Sequence, residues 1–209
     1  MRVRVWKIIS MLVLVLACIQ ILLFGIRQVV FLVVARTDYS DHIASMLGMI
    51  VLTACFAIVA RKCNIPLSIF PQKFSPAYIV VSVVFVILMI LTPSNYTGEF
   101  QPIVLLFYGS IVTPAFEELI FRGYVWNKLN ALYTKEWKTY IASTILFALW
   151  HFGYISSIAF RVNGGLLHAM IWKVITGLCF GIVLGLLRMK TKNCYSTMLL
   201  HGILNIFGR

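Results

Sequence analysis

Residues 102–126 read PIVLLFYGSIVTPAFEELIFRGYVW, and three charges, Glu117, Glu118 and Arg122, stand inside a run otherwise apolar enough to lie in a bilayer. An ionisable group at the centre of a spanning helix costs about 2.5 to 3.5 kcal/mol on insertion scales, so charges there mark a cavity, a pathway or a reaction site. The whole chain holds only six acids, and two of them are adjacent here.

The surrounding composition agrees with a membrane setting. With 61% hydrophobic and 11% charged residues and a mean hydropathy of +0.96, the chain falls outside the range of soluble globular domains. Apolar runs at about 8–26, 43–60, 78–93, 102–126, 139–153, 171–188 and 194–208 each approach the ~20 residues needed to cross. They predict an all-α, polytopic bundle of seven spans, give or take one.

Basic residues alternate along the chain. Arg2, Arg4 and Lys7 are followed by Arg36; then come Arg61, Lys62 and Lys73; none lies between the third and fourth runs; Lys128, Lys135 and Lys138 precede Arg161; Arg188, Lys190 and Lys192 precede Arg209. The positive-inside rule places the N-terminus in the cytoplasm and the C-terminus outside. This topology signal accounts for the net charge of +12. Nucleic acid is not an expected partner, since no basic patch is interleaved with stacking aromatics.

Residues 1–7 before the first apolar run resemble the start of a signal peptide, but no small-residue cleavage site follows promptly, so a retained span is expected. The stretch from Arg27 to Arg36 either extends that helix or lies along the outer interface, where Arg27 would snorkel. Five scattered cysteines, never spaced Cys-x-x-Cys, argue against a disulfide framework or a cysteine metal site. Pro66, Pro71 and Pro76 punctuate one connection. One compact membrane domain is expected, with no recognisable motif in 1–100 and the chemistry in 101–209. Gly177, Gly181 and Gly185, four apart, predict close packing of the sixth span against a neighbour.

Helical spacing sets Glu118 and Arg122 face to face and turns Glu117 toward another helix. Arg122 then neutralises Glu118 and leaves Glu117 available. Pro114, a turn earlier, removes a backbone hydrogen bond and predicts a kink or widening beside the pair. The fifth run ends Phe147-Ala-Leu-Trp-His151, and the seventh contains His201-Gly-Ile-Leu-Asn205, whose polar pair shares one face. At 1.5 Å per residue, Glu117 lies about 15 Å, His151 about 20 Å and His201 about 12 Å from the cytoplasmic ends of their runs. Three helices thus bring polar groups to one membrane layer. A buried ion-pair cluster that only fixes packing is the plainer reading for Glu118 and Arg122. His42, beside Asp38 and Asp41, and His168, near Lys173, are expected to be solvated or interfacial and outside the site.

Glu117-Glu118-Leu-Ile-Phe-Arg122, followed by Phe147-x-x-x-His151 and His201-x-x-x-Asn205 in that order, resembles the CPBP intramembrane protease family, which includes CAAX prenyl endopeptidases and bacteriocin-processing or self-immunity proteins. The likeness covers roughly residues 100 to 208, and Phe121-Arg122-Gly123 adds to it. It implies an all-helical membrane endopeptidase acting on a membrane-associated peptide or protein such as a leader, bacteriocin-type or CAAX-like substrate. In that scheme Glu117 and His151 activate water, His201 and Asn205 steady the oxyanion, and Glu118 and Arg122 support the geometry. No cofactor is implied. Zinc is the less favoured variant, since no His-Glu-x-x-His occurs and Asn is a poor zinc ligand.

The residues themselves fit amide hydrolysis, which needs a base for water, donors for the oxyanion and a proton for the leaving amine. Two non-enzymatic readings use the same groups: a transporter or proton relay, for which a broken pair of repeated helices would be expected and none is evident, and a membrane immunity or scaffold protein that binds a peptide or sensor partner. The terse loops fit the plasma membrane of a bacterium. Oligomeric state is not legible.

Overall fold

The computed structural model describes residues 2–208, with side chains from Val5 onward. Arg2, Arg4 and Arg209 of the charge count therefore lie outside the described side chains. Seven helical segments follow one another: α1 (Arg2–Phe31), α2 (Asp38–Lys62), α3 (Pro76–Leu91), α4 (Phe100–Leu132), α5 (Glu136–Arg161), α6 (Leu166–Thr191) and α7 (Cys194–Phe207). Among the described residues no strand occurs. The first six are long and apolar enough to cross a membrane. The 14 residues of α7 reach only about 21 Å at 1.5 Å per residue, short of the ~30 Å hydrocarbon core. Six spans and one short helix fall within the expected seven, give or take one.

Local chemistry sets the helix ends. Thr37 caps α2 in a reciprocal box with Ser40, with Asp38 and Asp41 in the first turn and Arg61 and Lys62 in the last, so side-chain charge opposes the helix dipole at both ends. The Asn193 side chain accepts from Ser196 N at 3.0 Å to start α7, immediately after Lys192 leaves α6 in the left-handed region at φ 58°.

Neighbouring helices run antiparallel, which gathers alternate connections at opposite ends. At one end Cys194 N donates to Ser68 O at 2.9 Å, Tyr195 N to Ile69 O at 2.8 Å and Asn127 Nδ2 to Pro66 O at 2.8 Å, while Lys192 pairs with Glu136. The connections richer in Lys and Arg thus share this end. At the other, the fully buried Asp41 binds Arg27 at 2.6 Å, Arg36 at 2.8 Å and Arg161 at 3.3 Å, with Ser157 Oγ donating at 2.6 Å. Helix α1 continues past Arg27, and this arginine does not snorkel: it is buried, because Asp41 compensates its charge inside the bundle.

The spans are not all regular. Helix α4 widens into five-residue turns at Tyr108–Val112 and Leu119–Val125, on both sides of the α-helical Thr113–Glu118. Pro114 explains the first: it has no N–H to give, and the Thr113 N–H bonds Tyr108 O, so the Gly109 carbonyl is left without a donor from its own helix. Asn205 Nδ2 of α7 supplies one at 2.7 Å. Helix α5 is α-helical to Trp150, tightens to a 3₁₀ turn over His151–Tyr154, and resumes at Ile155. The widening that Pro114 predicts is thus present in α4, while the second widening and the tight turn of α5 add irregularities that no proline marks.

The glycine series of α6 faces α5. A Cβ on Gly181 would lie 3.0 Å from Thr144 Cγ2, and one on Gly185 would lie 2.7 Å from the Tyr140 ring. Thr144 Oγ1 donates to Gly181 O at 3.1 Å across this contact.

Candidate active site

The widened helix α4 turns its two acids in different directions. Glu118 is fully buried; its Oε2 faces Arg122 Nε at 3.2 Å, and its Oε1 accepts from His201 Nδ1 at 2.9 Å. Arg122, buried in turn, lies with its guanidinium 4.3 Å from the centre of the Phe147 ring, a favourable cation–π approach. Its carbonyl accepts from Arg188 Nε at 2.9 Å. Glu118 and Arg122 are thus packed into the wall, as helical spacing predicts.

Glu117 points into a cavity of about 580 Å³ that is also lined by His151, His201 and Asn205. The structure therefore brings together the four residues that the sequence singles out for chemistry, from α4, α5 and α7. Glu117, His151 and His201 are buried, the histidines at 6% and 3% exposure, and Asn205 is half-buried. Glu117 Oε1 accepts from the Tyr154 hydroxyl at 2.6 Å. Glu117 Oε2 is 3.9 Å from His201 Nε2, too long for a hydrogen bond and long enough for a bridging water.

The histidine tautomers follow from their partners. His151 Nδ1 lies 2.8 Å from Phe147 O, and a carbonyl only accepts, so Nδ1 carries the hydrogen and neutral His151 keeps a free acceptor at Nε2. His201 Nδ1 likewise donates to Glu118, which leaves Nε2 toward Glu117 and the cavity. The Phe180 ring packs against His201 with centroids 5.2 Å apart, and Phe147 packs against His151 at 5.0 Å. Gly177 is the reason His151 fits: a Cβ there would lie 2.5 Å from His151 Nδ1. The glycine series thus seats a site residue as well as packing two helices. Gly202, next to His201, plays the same part for α7, since a Cβ on it would lie 2.4 Å from Ser110 O in the first wide turn.

The structure corrects one histidine. His168 is exposed and accepts from Trp172 Nε1 at 3.0 Å, but His42 is half-buried and lines the same cavity. Arg161 pairs with Asp41 next to it and its Nη1 lies 2.8 Å from His42 Nε2, so His42 and Asp41 at the polar end of α2 pack against α5.

Sequence reasoning missed Tyr154 and Gln20. Tyr154 accepts from Trp150 Nε1 at 3.0 Å while donating to Glu117. Gln20 of α1 donates from Nε2 to Trp150 O at 3.2 Å, where the 3₁₀ turn begins. The only available signal for Tyr154 was its place three residues after His151. Among the described residues no group of three or more His, Cys, Asp or Glu side chains is placed to hold a metal ion.

A family model described as Rce1-like, type II CAAX prenyl endopeptidase, matches residues 99–207, just over half of the chain. The matched stretch contains Glu117, His151, His201 and Asn205. Neither the comparison with curated proteins nor that with solved structures found a match.

Proposed function

We propose that this chain, which belongs to the Rce1-like family of type II CAAX prenyl endopeptidases, hydrolyses a peptide bond of a membrane-associated peptide or protein with water activated by Glu117 and no metal ion. That the protein is an integral membrane protein of CAAX-type protease kind follows from the family and the six apolar helices; the glutamate mechanism and the substrate are the proposal. The observation that supports it is the convergence of Glu117, His151, His201 and Asn205 on one cavity.

The geometry suits each step. A water between Glu117 and the free Nε2 of His151 would meet two acceptors, which orients it and draws off one proton as it attacks the carbonyl carbon. General-base assistance of this kind contributes roughly 10²- to 10⁴-fold. Glu117, now protonated, returns that proton to the leaving amine. The second hydrogen on Asn205 Nδ2 and a protonated His201 Nε2 supply donors for the tetrahedral oxyanion. Asn205 is held for this by its bond to Gly109 O, and His201 by Glu118. Glu118 and Arg122 support the arrangement without entering the reaction.

The test uses the purified protein in liposomes with two internally quenched probes, a farnesylated peptide with a three-residue tail after the modified cysteine and an unprenylated membrane-spanning leader peptide. Wild type is expected to cleave one of them before and after exhaustive chelation, and Glu117→Gln is expected to cleave neither. Loss of turnover on chelation with recovery on added zinc would replace the glutamate mechanism by a metal one. Cleavage by Glu117→Gln at the wild-type rate would remove Glu117 from the reaction.

A further inference from the structure

A glutamate that acts as a base must be held, because three rotatable bonds otherwise let its carboxylate sweep the cavity. Glu118 is fixed by Arg122 and His201, but Glu117 has no such pair. Among the described residues the one hydrogen bond to its carboxylate comes from the Tyr154 hydroxyl at 2.6 Å, and His201 stands off at 3.9 Å from the other oxygen.

Tyr154 is itself held by its neighbours. Its hydroxyl accepts from Trp150 Nε1 at 3.0 Å, so the indole polarises the phenol that donates to Glu117. In a 3₁₀ turn side chains three apart eclipse, so the turn His151–Tyr154 sets Tyr154 directly beside His151, with ring centroids 5.9 Å apart. Gly153 gives that turn room against α1: a Cβ on it would lie within 2.4 Å of the Gln20 carboxamide, whose Nε2 bonds the last carbonyl before the turn. An ordinary α-helical continuation past Trp150, turning about 100° per residue against about 120° in the 3₁₀ turn, would leave Tyr154 about 60° away from this direction relative to His151.

We propose that Tyr154 is the positioning residue for Glu117, with Trp150 as its support: the phenol takes Oε1 and so leaves Oε2 to face the water and His201. Tyr154 touches neither substrate nor water in this role. The proposal rests on the peptidase reading above and deepens it by naming the group that aims its base.

Two arms keep the two ideas apart. In the kinetic arm, with the same liposome probes, Tyr154→Phe is expected to lower kcat roughly 10- to 100-fold, the scale of misplacing a catalytic group by about an ångström, while KM stays within about threefold. Because Tyr154→Phe strands the Trp150 indole, the double variant Tyr154→Phe/Trp150→Phe relieves that strain; the kcat loss is expected to persist in it with the melting temperature restored toward wild type. Wild-type kcat in Tyr154→Phe, or a loss confined to KM, would overturn the proposal and leave the peptidase reading standing. In the spectroscopic arm, 3-fluorotyrosine placed at 154 is followed by ¹⁹F NMR with no substrate present. Its resonance is expected to move when Glu117→Leu removes the acceptor, and an unmoved resonance would overturn the proposal. Absence of turnover by wild type on both probes would instead remove the peptidase reading, and Tyr154 would lose its catalytic purpose with it.

Discussion

Glu117 and Glu118 are neighbours in sequence with opposite obligations, one facing a cavity and the other clamped between Arg122 and His201. Glu118→Gln removes the charge opposite the buried Arg122, and an uncompensated buried charge costs about 3 to 5 kcal/mol. It is therefore expected to lower the melting temperature as well as turnover, whereas Glu117→Gln should melt close to wild type. Equal melting temperatures for the two variants would contradict this division. Glu117, Glu118, Arg122, His151, His201 and Asn205 were legible because polar side chains are rare in spans and their spacing fixes which face they share. Tyr154 was not, since a tyrosine near a span end is ordinary and its approach to Glu117 depends on a turn that local sequence does not announce. Asp41 was hidden similarly: an acid near a connection reads as solvated until three arginines from separate segments are found around it.

Among the elements, α5 and α6 touch where glycines remove side chains, and the consequence differs along the contact. At Gly181 an added methyl would meet a Thr144 methyl, whereas at Gly177 it would meet the His151 ring itself. Gly177→Ala is expected to lower turnover roughly 10- to 100-fold through displacement of His151, with a smaller effect from Gly181→Ala; equal activity for Gly177→Ala and wild type would show that the ring yields freely. The four-residue glycine period made the packing legible, while the seating of His151 needed the other helix. Pro114 made the first widening of α4 legible, because a missing N–H is a property of the residue. The second widening, the tight turn in α5 and the Gly109–Asn205 bond were not, since they come from tertiary partners that local propensity does not encode.

Over the whole molecule, charge alternation in the sequence anticipated that the connections rich in Lys and Arg would meet at one end, as the bonds among 63–75, 127–136 and 192–195 display. The cytoplasmic assignment of that end is tested by labelling: in a background without the exposed cysteines, Lys190→Cys is expected to react with a membrane-impermeant reagent only from the cytoplasmic side, and labelling from outside would invert the topology. The first three helices carry no motif, so their role was silent in the sequence, yet Gln20 holds the turn that carries His151 and Tyr154, and Arg27 and Arg36 anchor the far end of α5 through Asp41 and Ser156. The order of parts along the chain has a biosynthetic consequence. Glu117 and His151 precede His201 and Asn205 in order of synthesis, and the later pair arrives on α7, a helix too short to cross unaided. Until α7 docks its amide onto the spare carbonyl of Gly109, the cavity lacks two of the four polar side chains that meet in it, so the site is completed only by a helix synthesised after its other parts.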